Sequence, residues 1–180
     1  MKKTNLVLLA LTAAGFVSTV NAADEGTPST AKAKWVGSAQ IIPGSKHTIT
    51  GEDGALTLKD GELTLQADGT FTSTPVVMES HEITSAEGEA MVVGNKIASN
   101  WTVDSISFDW GTENTAATAG LAIDIVDQTT NTPLDKTTAL EADRVDLVVS
   151  NSKPLTGVVN PAAEGSVNAT IVSSYIEPAA

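Results

Sequence analysis

Apolar residues in this chain recur at every second position and almost never with helical spacing. Leu121, Ile123 and Ile125 alternate with Ala122, Asp124 and Val126; Val145, Leu147 and Val149 alternate with Asp146 and Val148; and residues 166–176 put Val167, Ala169, Ile171, Ser173 and Tyr175 on one face. Period two over a short run means a strand with one face to bury. Gly, Pro, Asn and Asp punctuate the runs, at Pro43-Gly44, residues 51–54, Asn131-Thr132-Pro133 and Asn160-Pro161. About eight to ten short strands with frequent turns predict an all-β chain, an immunoglobulin-like antiparallel β-sandwich.

Particular stretches carry sharper expectations. In residues 55–65, ALTLKDGELTL, Asp60-Gly61 suits a type I′ turn. Closing a hairpin there pairs Lys59 with Glu62, Leu58 with Leu63 and Leu56 with Leu65, although Asp68-Gly69 offers a second turn. Residues 71–80 continue as strand, with Pro75 implying an edge or a bulge. Residues 96–110 hold Ile97, Ser99, Trp101 and Val103 on one alternation and Ile106, Phe108 and Trp110 on the next, so the parity change at Asp104-Ser105 predicts a bend or bulge. Residues 84–89 and 111–119 read as loops. The one helix-like window is residues 138–144, at most two turns.

The N-terminus reads as an export signal. Lys2 and Lys3 precede an apolar run over residues 6–20, and Val20-Asn21-Ala22 is a small-x-Ala cleavage site, giving a signal peptide over residues 1–22 and a mature start at Ala23. The polar residues 23–29 are expected to be a mobile end. The leader carries two of the ten basic residues and none of the 22 acidic ones, so the remainder has a net charge of −14. That charge opposes nucleic-acid binding and association with anionic lipid, and no later stretch suggests membrane insertion. The absence of cysteine excludes disulfides, thiolate metal sites and Cys nucleophiles, so packing and sheet hydrogen bonds must hold the fold.

Motifs for catalysis are missing. Neither His47 nor His81 lies in a nucleophile-elbow context, and each is expected to be exposed or locally hydrogen-bonded. Glu52-Asp53, Glu87-x-Glu89 and Asp143-x-x-Asp146 are the carboxylate groupings to weigh for calcium. None has the alternating oxygens and glycine turn that surround the ion, so they read as solvated loops. Trp35, Trp101 and Trp110 suit core anchors better than a carbohydrate-stacking platform. Asn168-Ala169-Thr170 matches a glycosylation acceptor but falls within a strand. No enzyme, cofactor or metal is implied.

One stretch remains. Residues 30–42, TAKAKWVGSAQII, put Ala31, Ala33, Trp35, Gly37, Ala39 and Ile41 on one face of a strand and Lys32, Lys34, Ser38 and Gln40 mostly on the other. The leader with cleavage after Ala22, the opening Ala33-Lys34-Trp35-Val36-Gly37 followed by Pro43, the lack of cysteine and a final alternating strand with Tyr175 near its end are together similar to structural subunits of chaperone–usher fimbriae, in particular the cysteine-free alternate colonisation-factor type. The resemblance implies an incomplete immunoglobulin-like domain over residues 43–180 and an N-terminal donor strand over residues 23–42. Ala31, Ala33, Trp35, Gly37 and Ala39 would face the groove of a neighbouring subunit. Val167, Ala169, Ile171 and Tyr175 would line the recipient groove edge, which a periplasmic chaperone contacts first. It implies as partners identical or related subunits, that chaperone and an outer-membrane usher. Trp35 is open to either role, donor side chain or first anchor of the subunit's own core. In the second case the donor segment is residues 24–34. The alternative function is a secreted monomeric β-sandwich that binds carbohydrate, with Trp101 or Trp110 on an exposed face.

Overall fold

The computed structural model describes residues 30–34 as backbone, residue 41, and residues 44–85 and 89–176. Expectations for the leader, for Trp35, Gly37 and Ala39, and for Glu87 lie outside those residues. The strands are β1 (Thr30–Lys34), β2 (His47–Thr50), β3 (Glu62–Gln66), β4 (Phe71–Ser73), β5 (Val76–Ile83), β6 (Val93–Lys96), β7 (Ser99–Asp109), β8 (Asp124–Asp127), β9 (Thr132–Pro133), β10 (Leu140–Ala142), β11 (Arg144–Asn151) and β12 (Ser166–Tyr175). Helix is limited among the described residues to the four-residue α1 (Thr115–Thr118) and two 3-10 turns, Glu52–Gly54 and Thr112–Asn114. The fold is all-β, and the strand pairings are antiparallel.

Among the described residues, nine strands form the larger sheet and β10-β7-β12 the smaller. In the larger sheet β11 is central, with β8 along one side and β4 and β5 end to end along the other. Leu147 pairs with Val76, but Ser150 pairs with Thr72, so one extra residue sits between β4 and β5. That is the bulge Pro75 requires, since proline cannot donate to the ladder. The Val149 N–H donates instead to the Ser73 hydroxyl at 3.0 Å. A second bulge interrupts β7, where Thr170 opposes Ser105 and Ile171 opposes Val103, leaving Asp104 as the extra residue. The parity change in the sequence falls at that point. The bulge lets Trp101 and Val103 before it, and Ile106 and Phe108 after it, pack toward one core.

Side chains from both sheets meet in that core. Leu63, Leu65, Phe71, Ile125, Val145, Leu147 and Val149 come from the larger sheet and Trp101, Val103 and Val167 from the smaller. Phe71 and Phe108 touch across the interface with centroids 4.8 Å apart. Each buried indole has a partner: Trp101 Nε1 donates to the Ala142 carbonyl and Trp110 Nε1 to the Ala163 carbonyl, both at 2.9 Å. Along β11, Val145, Leu147, Val149 and Asn151 are buried while the residues between them are half-buried, as alternation predicts.

Two expectations fail for tertiary reasons. The hairpin does not close at Asp60-Gly61. Residues 55–61 are not strand, neither Asp60 nor Gly61 has a positive φ, and Leu56 is 57% exposed. The chain turns at Asp68-Gly69, where Gly69 takes φ 83° and Asp68 accepts from the Thr70 N–H and hydroxyl at 3.0 and 2.8 Å. This turn sets Leu63 opposite Ser73 and Leu65 opposite Phe71. It thereby attaches β3 to the large sheet and buries both leucines completely, where a local hairpin would have left a two-stranded ribbon. The window over residues 138–144 is not helical either. Its central residues form β10, set against β7 with Leu140 opposite Trp101, and strand pairing overrides a weak helical preference. The described α-helix falls instead in residues 111–119, read from sequence as a loop.

Candidate functional site

β12 pairs with β7 over ten residues, and no strand covers its other edge among the described residues. Beside that edge lies a groove of about 340 Å³. Val76 and Met78 of β5, Ile125 of β8, and Leu147 and Val149 of β11 line it from the larger sheet; Val167, Ala169 and Ile171 line it from β12. Leu58, Lys59, Asp60 and Gly61, from the stretch before β3, also line it. Residues 55–59 are expected from sequence to be one arm of a hairpin turning at Asp60-Gly61; none of residues 55–61 is strand, so no strand from this stretch lies along the groove.

The three β12 residues share a face because the strand is regular. Val167, Ala169 and Ile171 oppose Phe108, Ile106 and Val103. Val167 is fully buried, Ile171 half-buried and Ala169 exposed, so the groove is deep at one end of this stretch and open in its middle. Tyr175 is not part of it. Its ring lies 5.9 Å from that of His47, with Lys46 Nζ 5.1 Å from the Tyr175 centroid. Ala31 and Ala33 are placed elsewhere in this chain: β1 pairs with β3, setting Ala31 opposite Leu65 and Ala33 opposite Leu63.

An unpaired strand edge next to an apolar trough can accept an extended segment. The edge supplies backbone hydrogen bonds and the trough takes alternate side chains. Lys59, Asp60, Ser105, Ser107, Asn168 and Thr170 add polar groups to the groove lining.

The charged groups collect on the other side of β5. Glu79, fully buried, accepts at Oε2 from the His81 ring nitrogen Nε2 at 3.0 Å and the Gly54 N–H at 3.2 Å, and at Oε1 from Lys96 Nζ at 2.9 Å. Arg144 lies 3.6 Å away and itself pairs with Asp146 at 2.8 Å. Burial pushes the Glu79 carboxyl up, but the hydrogen bonds from His81, Lys96 and Gly54 together with the Lys96 charge outweigh it and bring the pKa down to about 2. With its lone pairs taken, this carboxylate fastens the Glu52–Gly54 turn to the sheet. The sequence signal was available: Glu79 and His81 alternate within an otherwise strand-like run. His47 and His81 are both hydrogen-bonded and nearly buried.

Of the carboxylates weighed for calcium, Glu52 pairs with Lys59 at 3.2 Å and Asp146 with Arg144; among the described residues no three metal-capable side chains gather. Trp101 and Trp110 are 0% and 1% exposed. A carbohydrate platform built on either is therefore corrected: the bulge and the indole hydrogen bonds turn both rings into the core. No protein-family model, no curated protein and no solved structure matches the chain.

Proposed function

We propose that this chain is a structural subunit of a surface fimbria, exported through its leader and assembled by the chaperone–usher route. In this reading the two sheets form an immunoglobulin-like sandwich lacking one strand. A neighbouring subunit inserts its N-terminal segment, residues 23–42, beside β12. The observation that carries the reading is the edge of β12 that no strand pairs among the described residues, beside a groove that reaches the apolar side chains of Val76, Met78, Ile125, Leu147 and Val149.

Other features agree with it. Of the segment that would be donated, residues 30–34 take strand geometry and are held by five residue pairs to β3, with no strand along their other side among the described residues. Leaving β3 for a neighbour's groove exchanges that edge for one flanked by apolar pockets. A periplasmic chaperone would cover the same β12 edge before assembly, and the usher would bring successive subunits together. The function is assembly in support of adhesion, with no catalytic step.

A chain that begins at Ser45, without β1, tests this directly. It should melt at lower temperature than the full chain and be restored by a peptide of residues 30–41 added in trans. An Ala169→Glu substitution, which places a charge at the open middle of the groove, should abolish that restoration; a peptide acting at the β3 edge would be indifferent to it. A shortened chain that stays monomeric with an unchanged melting temperature and ignores the peptide sinks the proposal.

A further inference from the structure

The free edge of β12 is not uniform. At its C-terminal part, His47 of β2 reaches across from the larger sheet, and its Nε2 lies 3.1 Å from both the Ser173 carbonyl oxygen and the Ser173 hydroxyl oxygen. The Ser173 hydroxyl donates in turn to the buried Ser99 hydroxyl at 2.7 Å. With that hydroxyl's proton committed to Ser99, a proton on His47 Nε2 serves both Ser173 oxygens. His47 is 7% exposed, and its ring lies against the Tyr175 ring, over which Lys46 Nζ sits.

We infer that His47 is a stop for strand addition, limiting the segment that β12 accepts to the stretch from Ser166 through Ile171. This rests on the proposed function above and adds its register. Backbone groups alternate between the two edges of a strand, so the N–H and C=O of Val167, Ala169 and Ile171 point to the same edge as those of Ser173. At the first three positions this edge faces the groove. At Ser173 the acceptor is already taken by His47, and an added strand continuing past Ile171 would have to displace a nearly buried ring together with its hydroxyl chain. The occupant is the N-terminal segment of a second copy, because residues 30–34 of this chain form a strand and the sequence of residues 30–42 alternates small residues at every second position.

The test is residue-resolved amide exchange on the full chain with and without an added peptide of residues 30–41. Exchange at Val167, Ala169 and Ile171 should slow at least about tenfold on peptide addition, while Ser173 and Tyr175 change less than about twofold. In His47→Ala the protection should spread to Ser173 and Tyr175. In His47→Gln, which retains a side-chain N–H donor, the boundary should return toward Ile171. Protection extending through Tyr175 in the unaltered chain overturns the stop while leaving strand addition standing. No protection anywhere along β12 overturns both, and unaltered protection in His47→Ala shows that the boundary is set by something other than His47.

Discussion

Replacing Glu79 by glutamine should lower stability by about 3 kcal/mol near neutral pH and flatten the acid limb of the stability profile. The carboxylate is fully buried, with three N–H donors within 3.2 Å and Arg144 beyond them. Removing the charge leaves Lys96 and Arg144 facing a neutral amide, and the amide's own N–H₂ points at groups that are themselves donors. The pH sign follows from the direction of the shift. Glu79 titrates at about 2 in the folded chain, below its ordinary value of 4.5. Its contribution is complete above the unfolded value and is lost as pH falls from about 4.5 through about 2. Denaturant unfolding of both chains across that range measures it; parallel curves for the two would contradict a role for this carboxylate. Lys96, whose pKa is raised chiefly by its hydrogen bond to Glu79, loses the reason for that shift in the same variant.

Trp101→Ala should be at least as damaging, costing about 3–5 kcal/mol, or roughly 10 °C in melting temperature for a domain of this size. The indole is 0% exposed, belongs to the core contributed by both sheets, and its Nε1–H satisfies the Ala142 carbonyl that anchors β10. A cavity and an unpaired carbonyl therefore arise together. Trp101→Phe separates them: it fills much of the space but cannot donate, so it should recover part of the loss. Glycan titration of the unaltered chain should leave the fluorescence of this buried ring unchanged. A loss under 1 kcal/mol in Trp101→Ala would show that the sheets do not depend on this contact.

What could be read in advance was what alternation and single local signals determine. The last strand, the parity change that became the Asp104 bulge, and the Pro75 irregularity all followed from period two and from the missing N–H of proline. The hairpin at Asp60-Gly61 failed because two Asp-Gly pairs competed eight residues apart, and the choice depended on which turn delivers Leu63 and Leu65 to the core. That is a long-range matter, decided by Phe71 and by β11. The same holds for β10, whose conformation is fixed by pairing with Trp101, about forty residues earlier. Val167, Ala169 and Ile171 could be placed on one face from sequence, but the groove beside them depends on residues 55–61 not forming a strand. The His47–Ser173 bridge joins positions 126 residues apart, and no local pattern announces it. Of the partners of Glu79 only His81 is local and visible as an alternating pair in one strand; the others come from the Glu52–Gly54 turn, β6 and β11.

The central claim is that a neighbour's N-terminal strand lies along β12, and the lack of native cysteine allows a clean test. Ala169→Cys combined in turn with Ala31→Cys, Ala33→Cys, Trp35→Cys, Gly37→Cys or Ala39→Cys gives a register series under mild oxidation. A disulfide needs its Cα atoms about 4.4–6.8 Å apart, so only a true neighbour links. The account predicts that at least one pairing yields a ladder of covalent oligomers on a non-reducing gel, collapsed by reductant and absent from each single-cysteine chain. Monomer alone across the whole series, with β1 remaining on β3 of its own chain, would contradict it.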